Sequence, residues 1–198
     1  MEIVKLYLFD ARRLQIADLL NTLTLISEDL KELEKAQLES VKKERAVSRH
    51  FKNKYIGEYS INEFGKPIAK DKHFNISHSK GVVALAVSDT REIGLDIEVI
   101  RESHDDLTRY ISSDEEYKYI KNDENFFEVW TSKESLVKCL GTGIKSRIEE
   151  IPAFPLMGKK IYKNKNYFSK IIKKDDLIIS ICLDGDKDFE IDFIMEYL

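Results

Sequence analysis

The chain of 198 residues has only two cysteines, Cys139 and Cys182, and they are far apart rather than in a CxxC pair. Two such cysteines cannot form a disulfide framework, which favours a reducing compartment, and we expect both to be buried apolar side chains. The sequence also has no apolar run as long as a membrane span, and its first ten residues, with Glu2, do not form a signal sequence. These absences predict a soluble, cytoplasmic protein with no membrane contact.

A strong net charge is missing as well. The 32 Lys and Arg residues nearly balance the 36 Asp and Glu residues, which leaves a formal charge of −4. A nucleic-acid-binding protein ordinarily carries a basic stripe, so we predict no nucleic acid partner, and phosphate binding would require a local cluster. The 42% of hydrophobic residues suffices for one domain, or for two small halves that share a core.

Hydrophobic periodicity predicts the order of the secondary structure elements. The helical region that follows the first strand, from about Leu14 to Tyr55, is split by an N-cap signal at Ser27. Ser113 and Glu116 form a capping box that starts a helix, and Gly141 ends the next one. The predicted strands are residues 2–9, 73–76, 82–87, 93–99, 167–172, 177–183 and 189–193. This order predicts an α+β fold with two halves, residues 1–92 and 93–198.

Asp96, Glu98 and Glu134 are the residues that best indicate chemistry. In the segment 93–99 apolar residues alternate with others, so Asp96 and Glu98 share one face of a strand, about 6.5–7 Å apart. One cation can bridge that spacing. Glu134 and Lys138 are four residues apart, which places a carboxylate and an ammonium on one helix face. The three acids predict a site for a hard metal ion, although a solvated strand face and a surface ion pair would explain each element taken singly.

The segment Phe74–Ser79 (FNISHS) predicts an anion site. It places two hydroxyls and the His78 imidazole at a tight exit from a strand, where backbone amides are available. Small donors beside a possible cation are what a phosphate needs. A histidine flanked by serines is also an ordinary turn residue satisfied by the backbone, so this segment indicates a phosphate site only in combination with the three acids.

Four blocks of sequence resemble, in order and spacing, the 4′-phosphopantetheinyl transferases of the Sfp type. They are Gly65-Lys-Pro67, Phe74–Ser79, Ile93–Glu98 and Trp130–Lys138, and they cover about residues 64–141. The resemblance implies a pseudo-twofold body of two similar α+β halves. Residues 1–92 would form the nucleotide side, and residues 93–198 would carry the metal and catalytic residues. It also implies a monomer that is sufficient by itself.

The resemblance implies an activity: transfer of 4′-phosphopantetheine from coenzyme A to a serine of an apo acyl, peptidyl or aryl carrier protein, with release of 3′,5′-ADP. Asp96, Glu98 and Glu134 would hold Mg²⁺ against the pyrophosphate, and Lys138 would contact the pyrophosphate. Glu134, or a metal-bound water that it orients, is the expected general base. Residues expected to contact coenzyme A are Arg49, Lys66, Pro67, Ser77, His78 and Lys138.

Two further sets of lysines are weaker candidates. Lys31 and Lys35 lie in the first helical region, where the family has lysines for the 3′-phosphate of coenzyme A. Lys118, Lys121 and Lys133 could meet an acidic carrier protein.

Two other functions remain open at this point. A metal-dependent phosphohydrolase or nuclease could use the same acids to activate water. A non-catalytic domain could bind coenzyme A or a carrier protein without turnover.

Overall fold

A computed structural model describes residues 1–143 and 147–197 of the chain. The described residues form six α-helices: α1 (Ile16–Thr22), α2 (Ser27–Glu34), α3 (Glu39–Phe51), α4 (Asp105–Ile111), α5 (Asp114–Tyr119) and α6 (Asp123–Leu140). The strands are β1 (Glu2–Asp10), β2 (Tyr59–Ile61), β3 (Pro67–Ala69), β4 (His73–Ser79), β5 (Val82–Ser88), β6 (Ile93–Val99), β7 (Gly158–Tyr162), β8 (Lys165–Lys174), β9 (Leu177–Asp184) and β10 (Phe189–Glu196). A π-helical turn, Lys52–Ile56, extends α3.

The strands form two four-stranded sheets and one hairpin. The first sheet has the order β10-β1-β5-β4, the second has the order β6-β9-β8-β7, and β2 pairs with β3. All neighbouring strands are antiparallel except β1 and β10, which are parallel. The predicted α+β class is therefore confirmed. Strand β10, from the end of the chain, lies in the same sheet as β1, and the division at residue 92 stays a prediction.

The two sheets face each other, and helices cover their outer faces. The core between them is built from alternate apolar residues of β1, β5, β6 and β9, such as Leu6, Ala84, Leu95 and Ile179. The other face of the first sheet packs against α1 and α3, and that of the second sheet packs against α6. Because side chains alternate along β6, the residues that do not enter the core between the sheets point towards α6.

Local sequence signals predicted several helix ends correctly. Helix α2 begins at Ser27, but the group that caps it is the Asp29 carboxylate, which accepts a hydrogen bond from the Ile26 N–H at 3.1 Å. The capping box of Ser113 and Glu116 is present. The sequence did not predict a second break, between α2 and α3, nor strands β2, β3 and β7 as such.

No helix in the described residues is at once long enough and apolar enough to cross a membrane.

Candidate active site

Helix α6 lies directly against strand β6 at Gly94. A Cβ atom added to Gly94 would be 1.9 Å from the Ser135 carbonyl oxygen and 2.3 Å from the Cys139 nitrogen. Only glycine allows the helix backbone to come so close to the strand. This contact brings Glu134 and Lys138 of the helix next to the acids of the strand.

Asp96 is the most buried of the three acids, at 5% exposed. Its Oδ1 atom accepts hydrogen bonds from Lys138 Nζ at 2.7 Å and from Ser77 Oγ at 2.8 Å. Its Oδ2 atom is buried and has no hydrogen-bond partner in the described residues. Burial raises the pKa of Asp96, while Lys138 and Ser77 oppose that rise. A buried carboxylate oxygen without a partner is costly, and a bound ligand is one way to satisfy it.

Glu98 lies two residues further along the same strand face. Its Oε2 atom accepts hydrogen bonds from Ser79 Oγ at 2.5 Å and from Arg101 Nη1 at 2.8 Å. The alternation predicted from the sequence thus places both strand acids on one face, and a serine of β4 holds each of them.

Glu134 is partly buried on the facing side of α6. Burial raises the pKa of Glu134, and the negative charge of nearby Asp96 raises it further, while Lys138 opposes the rise. In the described residues Glu134 has no hydrogen bond or ion pair, because the Lys138 ammonium pairs with Asp96 instead. The surface ion pair that the spacing of four suggested is therefore not formed.

The carboxylates of Asp96, Glu98 and Glu134 suit a hard cation, although their oxygens are not already arranged around one position. No group of three or more His, Cys, Asp and Glu side chains in the described part of the chain is arranged as a metal site. The Oδ2 atom of Asp96 nevertheless lacks a partner in the described residues, and burial, with a smaller effect of neighbouring carboxylates, raises the pKa of Asp96 and of Glu134, which a nearby cation would oppose. Oxygen donors of this kind fit Mg²⁺.

A basic cleft of about 490 Å³, here called the α3 cleft, lies between α3 and β4. Arg49 and His78 line it, as do Arg45 and Lys52, which the sequence did not single out. Arg45, Arg49 and Lys52 recur at helical spacing, and that signal could have identified them. His78 Nδ1 lies 3.1 Å from Glu44 Oε2, which orients the ring.

A second cleft of about 310 Å³, here called the α6 cleft, is lined by Lys66, Pro67, Glu134 and Lys138. It shares Pro67, Asn75 and Ile76 with the α3 cleft. The two clefts therefore adjoin as one groove, which runs from the cations of α3 to Glu134 and Lys138 of α6.

Lys66 lines the α6 cleft, but its ammonium is held by the protein. Nζ donates hydrogen bonds to Glu92 Oε2 at 2.6 Å, to the Cys139 carbonyl at 3.1 Å and to the Ile93 carbonyl at 3.3 Å. It thus ties the turn between β2 and β3 to the C-terminal end of α6, where a cation complements the helix dipole.

The prediction that Lys133 meets a partner protein is wrong, because Lys133 is fully buried. Its ammonium pairs with Glu116 at 2.8 Å and donates to the carbonyls of Ile148 and Ile151. Burial lowers the pKa of Lys133, although Glu116 opposes the effect. Lys118 and Lys121 are exposed, as are Lys31 and Lys35, and Lys35 pairs with Glu32. Both cysteines are buried, as predicted.

Comparison with known proteins extends these observations. Residues 92–182, which include Asp96, Glu98, Glu134 and Lys138, match the model of the 4′-phosphopantetheinyl transferase superfamily. The 4′-phosphopantetheinyl transferase HetI of Nostoc sp. (strain PCC 7120) is 33% identical over 127 residues, which are 54% of this chain and 53% of HetI.

Two further relatives show the same similarity. The 4′-phosphopantetheinyl transferase gsp of Aneurinibacillus migulanus is 39% identical over 90 residues, 42% of this chain and 38% of the relative. The 4′-phosphopantetheinyl transferase Sfp of Bacillus subtilis (strain 168) is 32% identical over 108 residues, 50% of this chain and 48% of the relative. The chain spans about half the length of the curated relatives it matches. These matches confirm the resemblance noted in the sequence.

Proposed function

We propose that the chain transfers 4′-phosphopantetheine from coenzyme A to a serine of an apo acyl, peptidyl or aryl carrier protein, because residues 92–182 match the model of the 4′-phosphopantetheinyl transferase superfamily. The observation that carries the proposal is the groove formed by the α3 cleft and the α6 cleft. Coenzyme A carries a 3′-phosphate at one end of its nucleotide and a pyrophosphate at the other. The cations at one end suit the 3′-phosphate, and Lys138 at the other end suits the pyrophosphate, whose charge a cation held beside Glu134 would also neutralise.

In this proposal the α3 cleft binds the 3′-phosphate. Arg49 and His78 line it, and Arg45 of α3 and Lys52 of the π-helical turn add positive charge. An arginine fork matches the geometry of phosphate oxygens. Pro67, between the two clefts, borders the adenine, and Lys66 supports that border through the bonds that hold its turn to α6.

Asp96, Glu98 and Glu134 would hold Mg²⁺, with phosphate oxygens of coenzyme A completing its coordination. When bound, Mg²⁺ would neutralise charge on the pyrophosphate and on the transferring phosphoryl group. The partnerless Oδ2 atom of Asp96 supports this assignment.

Glu134 is the proposed general base. The serine hydroxyl of the carrier attacks the β-phosphorus of coenzyme A, and its proton passes to the Glu134 carboxylate. The bond between that phosphorus and the bridging oxygen breaks, and 3′,5′-ADP leaves with the oxygen. Burial raises the pKa of Glu134 in the metal-free protein, and a cation held beside it would favour the ionised carboxylate that accepts the proton. Lys138, whose side chain is 29% exposed, stabilises the charge that develops on the leaving α-phosphate.

The proposal also includes the arrangement that the resemblance implied. Two similar halves, residues 1–92 and 93–198, form a pseudo-twofold monomer in the cytoplasm, with coenzyme A and a carrier protein as partners and neither nucleic acid nor membrane among them. The near balance of acidic and basic residues supports the absence of a nucleic acid partner.

The deciding test is incubation of the protein with coenzyme A, Mg²⁺ and a panel of apo acyl, peptidyl and aryl carrier proteins. We expect the carrier to gain the mass of one phosphopantetheine group, with one 3′,5′-ADP released per transfer. The Glu134→Gln variant, which keeps the shape of the side chain, is the matched control and should give no gain. Binding of coenzyme A without modification of any carrier would favour the non-catalytic domain. Hydrolysis of phosphodiesters without any carrier present would favour the phosphohydrolase or nuclease.

A further inference from the structure

Strands β4 and β6 are the edges of different sheets, and side chains join them. Asn75, Ser77 and Ser79 alternate along β4, so they lie on one face of it. Asn75 Oδ1 accepts a hydrogen bond from the Leu95 N–H at 3.1 Å. Ser77 Oγ accepts from the Ile97 N–H at 3.3 Å, and Ser79 Oγ accepts from the Val99 N–H at 3.2 Å. Side-chain oxygens thus take the place of the carbonyls of a neighbouring strand, and we call these three residues the side-chain ladder.

Two members of the side-chain ladder also donate to the acids of β6. Ser77 donates to Asp96 Oδ1 at 2.8 Å, and Ser79 donates to Glu98 Oε2 at 2.5 Å. Each hydroxyl therefore contacts the carboxylate of one residue and the amide of the next. At the Asn75 position the corresponding residue of β6 is Gly94, which has no side chain. Asn75 therefore belongs to the side-chain ladder but contacts no acid, which makes it a control for Ser77 and Ser79.

The hydroxyl of Ser77 has no capacity left for another partner. A serine hydroxyl has one proton to donate and two lone pairs to accept with. The proton goes to Asp96, and the lone pairs accept from the Ile97 N–H and from Lys138 Nζ at 3.1 Å. A phosphate could bind this hydroxyl only by displacing one of these partners.

The bonds leave one oxygen of each carboxylate to a ligand. Asp96 Oδ1 is held by Ser77 and Lys138, and Oδ2 is the buried atom without a partner. Both hydrogen bonds of Glu98 in the described residues use Oε2. Ser77 and Ser79 therefore set which oxygen of each acid is presented, and from which direction.

We infer that Ser77 and Ser79 are positioning residues that hold Asp96 and Glu98 in the orientation that binds the divalent cation, and that the Ser77 hydroxyl does not itself contact the phosphates of coenzyme A. This inference rests on the proposed function, because it assigns the cation to these acids. It gives Ser77 a different role from the one implied by the family resemblance. Hydrogen-bond partners of metal-binding residues typically change metal affinity 10- to 100-fold when they are removed.

The test measures binding of Mn²⁺, a paramagnetic substitute for Mg²⁺, to the whole chain with coenzyme A present and no carrier protein. The electron paramagnetic resonance signal of free Mn²⁺ gives the dissociation constant. Ser77→Ala and Ser79→Ala should each weaken Mn²⁺ binding about tenfold or more. Asn75→Ala removes one rung of the ladder without touching an acid; because Asn75 also lines both clefts, its coenzyme A affinity is measured as well, and at saturating coenzyme A its Mn²⁺ affinity should change less than about threefold. Coenzyme A binding without metal, measured by calorimetry for Ser77→Ala, should stay within about threefold of the parent protein.

Three results would overturn the inference. The first is unchanged Mn²⁺ affinity in both serine variants. The second is an equal loss in Asn75→Ala, which would mean that strand pairing alone matters. The third is a loss of metal-free coenzyme A affinity in Ser77→Ala, with Mn²⁺ affinity kept, which would make Ser77 a phosphate contact. If Ser77→Ala does not fold, Ser79→Ala still decides the question. A parent protein that binds Mn²⁺ and coenzyme A but modifies no carrier would refute the proposed transfer while leaving this comparison intact.

Discussion

Replacing Gly94 with alanine tests whether the close contact between α6 and β6 builds the site. The added Cβ would lie 1.9 Å from the Ser135 carbonyl oxygen and 2.3 Å from the Cys139 nitrogen, and ordinary contact begins at 3.4 Å. Both atoms belong to the helix backbone, so no side chain can rotate out of the way. To bring the Ser135 oxygen from 1.9 Å to the 3.4 Å of ordinary contact, the helix would have to move away from the strand by about 1.5 Å.

This displacement should lower both stability and activity. Overpacking of a core contact typically costs about 1–3 kcal/mol, which for a domain of this size lowers the melting temperature by roughly 2–10 °C. The same movement separates Glu134 and Lys138 from Asp96, and a misplacement of about 1 Å can slow catalysis about 100-fold. Calorimetric melting and the rate of carrier modification at saturating coenzyme A measure the two effects.

Gly57→Ala is the matched control for Gly94→Ala. Gly57 has φ +79° and nothing within 4 Å of an added Cβ. With ψ −133° this backbone strains any other residue, so the variant should lose about 1–3 kcal/mol of stability but keep its transfer rate, and the rate is therefore what separates it from Gly94→Ala. Gly94→Ala with the melting temperature and rate of the parent protein would refute the role assigned to this contact.

Four other perturbations test the described geometry. Because Glu134 must be ionised to take the serine proton, the transfer rate should fall with decreasing pH; a rate that stays flat throughout the acid range in which carboxyl groups titrate would exclude it as the base. Because the pKa of Glu134 is raised, the folded protein binds its proton more tightly than the unfolded chain, which penalises folding above the unfolded-state pKa. Metal-free Glu134→Gln should therefore be more stable than the parent protein at neutral pH but not in acid, as urea unfolding at both pH values would show. Lys138→Ala leaves the buried Asp96 carboxylate without the Lys138 ammonium, so it should lower the free energy of unfolding by about 1–3 kcal/mol and slow transfer. A variant as stable as the parent protein in denaturant titrations would count against the ion pair of Lys138 and Asp96. Lys133→Met leaves the Glu116 carboxylate buried without its cation and should lower the free energy of unfolding by about 3–5 kcal/mol. A variant that keeps the stability of the parent protein but binds the carrier protein less tightly would contradict the burial of Lys133.

Short-range periodicity was enough to predict much of this protein. Alternation along β6 predicts that Asp96 and Glu98 share a face, because successive strand side chains point to opposite sides. The capping box at Ser113 and the end of α6 at Gly141 depend on backbone groups within a few residues, and both are present. The order of the sequence blocks also pointed to the superfamily whose model matches residues 92–182.

Partners distant in the sequence could not be predicted in this way. Spacing suggests that Lys138 pairs with Glu134, but the ammonium meets Asp96, which α6 reaches only because Gly94 lets it approach β6. Lys133 has the composition of a surface residue, yet residues 148–151 cover it with carbonyls.

The sequence by itself determined the elements, the face on which the two strand acids lie and the chemical types available, since these follow from the backbone period and from neighbouring residues. The tertiary structure decided which of those groups meet. It placed β10 beside β1, joined the α3 and α6 clefts into one groove, and set serines of β4 against the acids of β6. Such contacts link residues about 20 or more positions apart, and their geometry depends on how whole sheets and helices pack rather than on any local pattern.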